Sequence, residues 1–242
     1  MGKGTLYVVA TPIGNLEDIT ERARRLLCAI STIACEDTRK TGVFLERLGI
    51  QKKRLISYFE GNERKRAQEL VKMLEKGEDI ALVTNAGTPC ISDPGYRVVH
   101  LARQHGIKVV PVPGPCSVIS ALCASGLPTD RFCFYGFLPK KRKGFFEKIN
   151  TNNGTLVFFV PARELRKVIE EIDALYPDCD VVIAREMTKV FEEFICGKPR
   201  DCINALEEKK AKGEITLLVS FPKHARKRKP QKADKSGSRK QH

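Results

Sequence analysis

Short apolar runs alternate with amphipathic stretches through the first half of the chain. Residues 5–10 (T-L-Y-V-V-A) read as a buried strand ended by Pro12 and Gly14. Asp18 or Thr20 can cap a helix that carries Ile19, Ala23, Leu26, Leu27 and Ile30 at helical spacing. A strand at 32–35 leads through E-D-T-R into a helix with Val43, Phe44, Leu45 and Leu48, stopped by Gly49. Strand 55–58 precedes a polar helix at 62–76, strand 80–84 a helix at 95–105, and strand 108–112 a small-residue helix at 116–125. Five strands with helical crossovers predict an α/β domain on a mainly parallel sheet.

At G-L-P-T-D (126–130) the pattern changes. Strands are expected at 132–138, 155–160, 180–185, 190–196 and 215–221, and helices at 163–175 and 200–211. The two closely spaced strands at 180–185 and 190–196 suggest an antiparallel pair and hence a mixed sheet. The organisation read from this is an N-terminal α/β domain (1–127), a C-terminal mixed α/β domain (128–222) and a tail (223–242). At 242 residues the chain is long enough for two such cores.

Charge adds a second feature. The net +14 is uneven: residues 223–242 hold nine Lys or Arg against Asp234 alone, so the tail is expected to be disordered and to serve as an arm for an anionic polymer. Residues 109–129 are free of charge over the length of a membrane span, but Pro111, Pro113, Pro115 and Pro128 break them, so no transmembrane helix is expected. No apolar leader run precedes strand 5–10. Nine cysteines without a C-x-x-C pair fit reduced thiols in a cytoplasmic protein better than a disulfide framework or a metal site. Four histidines without H-E-x-x-H make metal hydrolysis and a Ser-His-Asp triad poor readings. The one G-x-G, Gly2-Lys3-Gly4, precedes the first strand, so neither a Rossmann fingerprint nor a P-loop is present.

Three irregular loops do follow predicted strands at their carboxyl ends: A-T-P-I-G-N-L (10–16), T-N-A-G-T-P-C-I-S-D-P-G (84–95) and P-V-P-G-P-C-S (111–117). Such ends line the ligand crevice of open α/β sheets. Small residues there allow close backbone approach and prolines hold the loops stiff.

A-T-P-I-G-N-L-E-D-I-T, A-C-E-D-T-R-K-T, N-A-G-T-P-C-I-S-D-P-G-Y-R, P-V-P-G-P and A-S-G-L-P-T-D-R-F, followed by G-F-L-P-K, A-R-E-M-T-K-V-F-E-E and K-G-E-I-T-L-L-V, together resemble the ribosomal RNA small-subunit methyltransferase I group of the tetrapyrrole methylase superfamily. The likeness runs in order over nearly all of residues 5–221. It implies a two-domain tetrapyrrole-methylase-like fold, S-adenosylmethionine as methyl donor with no metal, a homodimer, and 2′-O-methylation of a cytidine in the decoding region of 16S rRNA. The cofactor contacts it implies fall on Pro12, Ala86, Gly87, Thr88, Ile91, Cys116 and Ser117, and in the second half on Val160 and Met187. The chain departs from the group at Asn85, where Asp is usual, at Cys116, where Ser is usual, and at F-F-V-P-A-R (158–163), which replaces F-Y-E-S-P-H.

Methyl transfer to a hydroxyl needs alignment above all, and a general base adds ~10²–10⁴-fold. The carboxylates available are Glu36, Asp37 and Glu186. Asp37 can equally cap the following helix, Glu36 can pair with Arg39, and Glu186 with Lys189. Glu36, Asp37 and Arg39 are taken as catalytic or substrate-orienting, with Arg39 and Lys40 as a phosphate clamp. Lys140–Lys143, Arg163, Arg166, Lys167 and the tail are candidate RNA contacts, and Tyr58, Phe59 and Tyr135 candidate stacking rings. A tetrapyrrole C-methylase and a non-enzymatic RNA-binding assembly protein are the competing readings.

Overall fold

Parallel pairing sends the carboxyl ends of five strands to one side of a sheet, and the sequence supplies five runs for it. These are β1 (Thr5–Val9), β2 (Thr32–Cys35), β3 (Arg54–Ser57), β4 (Ile80–Val83) and β5 (Lys108–Val112). Their order is β3-β2-β4-β1-β5, and every pair is parallel. The computed structural model describes residues 2–151, 154–207 and 213–222. By packing, these divide into two units, one formed by the residues up to Gly126 together with Ala184–Glu193, the other by the rest.

In the first unit β2 and β4 are buried throughout, as interior strands of a doubly covered sheet must be. Side-chain alternation divides them between two cores. Ile80 and Leu82 join Leu6, Leu70, Leu74 and Val98 under α3 (Glu63–Glu75) and α4 (Tyr96–Gln104). Ala81 and Val83 join Val9, Leu27, Ile33 and Leu45 under α1 (Glu21–Ala29) and α2 (Thr38–Arg47). Thr20 caps α1, its hydroxyl accepting from the Ala23 N–H at 3.1 Å. Helix α5 (Ser117–Ala124) follows β5.

The second unit carries a sheet of order β6-β7-β10-β8-β9, built from β6 (Phe132–Phe137), β7 (Thr155–Pro161), β8 (Asp180–Arg185), β9 (Glu193–Gly197) and β10 (Glu214–Ser220). It is mixed: β6 and β7 run parallel, β7 and β10 antiparallel. Helices α7 (Leu165–Leu175) and α8 (Pro199–Glu207) contribute Leu165, Val168, Ile169, Ile172, Cys202 and Leu206 to its core.

Two elements differ from the sequence reading. Helix α6 (Arg142–Lys148) was not expected; seven residues with Gly144 are too few to show a period, and the helix forms where Phe146 buries into the core. Strand β9 begins at Glu193 and not at 190. Glu186 and Thr188 take positive φ (49° and 65°), which turns the chain. Val190 and Phe191 consequently stand 93% and 78% exposed at the tip of that turn. The tail expected to be disordered lies outside the described residues. Among the described residues no helix is long and apolar enough to cross a membrane.

Candidate active site

The loops after β1, β4 and β5 converge through direct bonds. Thr11 and Gly87 form an isolated antiparallel bridge, with N–H to carbonyl distances of 2.9 and 3.0 Å. The Thr11 hydroxyl donates to the Thr84 carbonyl at 3.2 Å, and the Thr88 hydroxyl to the Pro115 carbonyl at 2.9 Å. Gly87 has φ +84°, a conformation that favours glycine. A Cβ there would lie 3.4 Å from Ile13 Cγ2, so the backbone of the second loop approaches the first closely. Pro12, Ala86, Gly87, Thr88, Ile91, Cys116 and Ser117 therefore all stand on one connected set of loops. Cys116 occupies the N-cap of α5 without capping it through its side chain.

The turn of residues 186–189 packs on the first of these loops. A Cβ on Gly14 would fall 2.6–3.0 Å from Lys189 Cγ, Thr188 Oγ1 and the Met187 carbonyl, so only glycine admits this contact. Met187 is buried there, and among the described residues the buried Thr188 hydroxyl has no hydrogen-bond partner. Glu186 is ion-paired with Lys189 at 3.0 Å. Val160 is 2% exposed, with its side chain packed in the core of the second unit.

At the end of β2 the adjacent acids do different work. Asp37 caps α2, its Oδ1 accepting from the Arg39 and Lys40 N–H groups at 2.9 and 3.2 Å. Those two bonds hold its pKa below the usual aspartate value. The stability this contributes is present above the unfolded pKa and is lost as pH falls through the lower folded one. Because Asn caps as well as Asp, Asp37→Asn is expected to keep turnover within about twofold and to lose part of the stability fall in acid; unfolding curves against pH and a methyl-transfer assay check both. Glu36 instead reaches the β4 loop. Its Oε2 accepts from Asn85 Nδ2 at 2.7 Å and from Thr84 Oγ1 at 3.4 Å. The alternative pairing of Glu36 with Arg39 is not formed.

Arg39 faces a cavity of about 490 Å³. Pro12, Ile13, Leu16, Val43 and Phe44 give it an apolar lining, while Arg39, Lys40 and Arg47 of α2 bring three cations to it beside Asn85 and Ala86. All three cations are exposed, and among the described residues none is ion-paired. Arg47 and Phe44 were missed in the sequence because they read as ordinary helix positions. The spacing of Arg39, Lys40 and Arg47 along α2 is the signal that could have found the cationic wall.

Of the basic residues singled out in the second half, Arg142 is engaged: its guanidinium bonds Glu164 and Glu171, so it is removed from the RNA-contact set. Lys140, Lys141, Arg163 and Lys167 are exposed, and Arg163 lies near Glu164. Of the three candidate stacking rings only Phe59 is exposed. Tyr135 packs on Phe145 and Phe158. Tyr58 is buried, and burial followed by the Glu63 carboxylate raises its hydroxyl pKa above the ordinary value.

Glu63 was also missed, because an acid in the first turn of a polar helix looks like a solvent group. Its Oε1 accepts from Tyr58 Oη and the Gly95 N–H at 3.0 and 3.1 Å, and its Oε2 from Arg97 Nε at 3.1 Å. The carboxylate thus ties α3 to the far end of the second loop. Burial, with Glu63 nearby, pushes the Cys90 thiol in that loop up to about 11. Glu63→Ala strands two buried donors, Tyr58 Oη and the Gly95 N–H, while half-exposed Arg97 turns to water, and is expected to cost about 2–3 kcal/mol in denaturant unfolding. A loss under about 0.5 kcal/mol would show that water replaces the carboxylate at these donors.

The family model of tetrapyrrole (corrin/porphyrin) methylases matches residues 5–201. Among curated relatives, the ribosomal RNA small subunit methyltransferase I of Escherichia coli O157:H7 is 46% identical over 224 residues, 90% of this chain and 78% of the relative. That of Thermotoga maritima is 44% identical over 219 residues, 90% of this chain and 98% of the relative. Among solved structures, diphthine synthase matches with TM-score 0.69 at 14% identity, over 90% of this chain and 89% of that one. The Thermus thermophilus uroporphyrin-III C-methyltransferase complexed with S-adenyl homocysteine matches with TM-score 0.59 at 18% identity, over 90% and 97%. The structural likenesses establish the fold, and the sequence identities go further: the chain belongs to the ribosomal RNA small subunit methyltransferase I group of the tetrapyrrole methylase family.

Proposed function

We propose that this protein methylates the 2′-hydroxyl of a cytidine in the decoding region of 16S rRNA, using S-adenosylmethionine and no metal. The observation that carries the reading is the cavity whose lining combines unpaired Arg39, Lys40 and Arg47 with apolar side chains. A nucleotide has the matching chemistry: a flat, largely apolar body and an anionic phosphodiester on either side. A carboxylated tetrapyrrole would also meet the cations, but the curated relatives named as rRNA methyltransferases favour RNA.

The residues present fit the donor. The three loops are linked to one another by the Thr11–Gly87 bridge and the Thr88–Pro115 bond, and the Thr188 hydroxyl, unpartnered among the described residues, lies on the turn that packs against Gly14. Pro12, Ala86, Gly87, Thr88, Ile91, Cys116, Ser117 and Met187 would hold it. When bound, S-adenosylmethionine supplies a methyl carbon activated on a sulfonium. In this reading Arg39, Lys40 and Arg47 fix the phosphates that flank the target ribose, and Glu36 accepts the proton its hydroxyl loses as the oxygen–carbon bond forms. Asp37 orients α2 by capping it. The nine free thiols support a reducing, cytoplasmic setting, and the exposed Val190 and Phe191 support a self-contact in a homodimer.

Purified protein given radiolabelled S-adenosylmethionine with small ribosomal subunits, or with a porphyrinogen, tests the reading. Label is expected in 16S rRNA alone, in a cytidine whose 3′ linkage resists alkaline hydrolysis. Transfer to the porphyrinogen, or to neither, rejects it.

A further inference from the structure

We infer that the seam between α1 and α2 carries the rRNA strand as it leaves the cavity, with Arg24 and Arg25 of α1 contacting its phosphodiesters. This rests on the reading of the cavity as a nucleotide site and extends it to the residues flanking the target. Helix α1 buries Ala23 and Leu27. At about 100° per residue, Arg24 then lies on a flank of the helix and Arg25 on its outer face. That flank is turned to α2, because Arg24 Nη2 donates to the Leu48 carbonyl at 3.4 Å. Leu48 follows Arg47, the last cation of the cavity wall, and Leu16 of the same wall stands just ahead of α1. The cations therefore follow one another: Arg39, Lys40 and Arg47 along the about 13 Å of α2 that ends at Leu48, then Arg24 and Arg25. Val43, 48% exposed between Lys40 and Arg47, adds an apolar step on which a base or ribose can rest.

The bonding of these arginines points to an anionic partner. Arg24 and Arg25 are exposed, and among the described residues neither is ion-paired. By contrast, Arg131, Arg142, Arg163, Arg166 and Arg200 of the second unit each lie 2.5–3.9 Å from a carboxylate oxygen. Helices α1 and α2 together hold six Lys or Arg against two acids, Glu21 and Glu46. Arg24 commits one of its five N–H donors to Leu48, at the long end of a hydrogen bond, so the rest of its fork stays open to the bidentate contact a phosphate offers. The occupant follows from the cavity. A target nucleotide within a polymer has neighbours on both sides, and their phosphates must leave along the adjoining surface. The α1–α2 seam adjoins the cavity and carries the complementary charge.

The experiment compares the full wild-type chain with three double variants: Arg24→Gln/Arg25→Gln, Arg24→Lys/Arg25→Lys and, for an exposed pair on α3, Arg64→Gln/Lys65→Gln. Glutamine keeps an N–H for the Leu48 carbonyl, so the helix contact survives while the charge is lost. Binding to small ribosomal subunits is measured between about 50 and 200 mM salt, together with kcat and KM for methyl transfer. Arg24→Gln/Arg25→Gln is expected to raise KM for the subunits about tenfold at the lower salt, with the loss falling on KM and not on kcat. The slope of log affinity on log salt is expected to fall by about 1.4, at about 0.7 for each phosphate of a single strand. The lysine pair keeps both charges and is expected to keep the slope. A KM and slope unchanged in Arg24→Gln/Arg25→Gln, or an equal loss in the α3 pair, overturns the inference while the methylation reading stands. Wild-type protein that transfers no methyl group to small subunits overturns that reading, and the inference with it.

Discussion

Gly87→Val is expected to bind S-adenosylmethionine at least a hundredfold more weakly than wild type while unfolding in a single cooperative transition. The residue sits at φ +84°, where a β-branched side chain is strained by about 1–3 kcal/mol. Relief requires the loop to rotate against its bridge to Thr11 and the Thr88–Pro115 bond. Rotation breaks the bridge that joins the first and second loops. If instead the backbone holds, the new Cβ stands 3.4 Å from Ile13 Cγ2 and 3.8 Å from the Pro115 carbonyl, and its two methyl groups enter the space between the loops. Either route damages the surface proposed for the donor, and neither reaches the cores under α1–α4. Gly87→Ala, with the same φ but one methyl, is expected to lie between. Calorimetric titration decides the matter: unchanged affinity in a folded Gly87→Val protein removes the three-loop assignment.

The first sheet was legible because doubly covered parallel strands have to be continuous apolar runs, and T-I-A-C and I-A-L-V can hardly be read otherwise. The three loops were legible for the opposite reason, since Pro and Gly crowd into them at strand ends. What escaped was set by tertiary packing. Helix α6 exists because Phe146 finds a core, not because R-K-G-F-F-E-K has a helical period. V-F-E-E-F-I-C reads as strand throughout, yet the positive φ of Glu186 and Thr188 turns its first residues, Val190 and Phe191, into an exposed tip. Polar partners were the least legible. Nothing in E-D-T-R tells which acid caps the helix and which crosses to Asn85, about fifty residues away. The sequence left that choice open, and the hydrogen bonds of the folded chain divide the two roles.

That division gives the sharpest expected contrast in the molecule. Glu36→Gln is expected to lower kcat by about 10²–10⁴-fold, the range a general base contributes, while Asp37→Asn, one residue on, stays near wild type. Glutamine is nearly isosteric and keeps a carbonyl oxygen to accept from Asn85, so the link between the β2 and β4 loops survives. No buried charge is left unpaired, and the melting midpoint is expected to stay put. Arg39, Lys40 and Arg47 are untouched, so KM for the small subunit should hardly move and kcat and kcat/KM should fall together, as when an interaction made only in the transition state is lost. S-adenosylmethionine affinity, which the proposed reading places on the main chain and side chains of the three loops, should remain within about twofold of wild type, because glutamine keeps the bond to Asn85. A Glu36→Gln protein that turns over within threefold of wild type shows that water takes the proton and that Glu36 serves only to brace Asn85. If KM rises and kcat holds, Glu36 belongs to RNA binding instead. Only a loss confined to kcat, with the fold and the donor site intact, leaves the carboxylate as the group that takes the ribose proton.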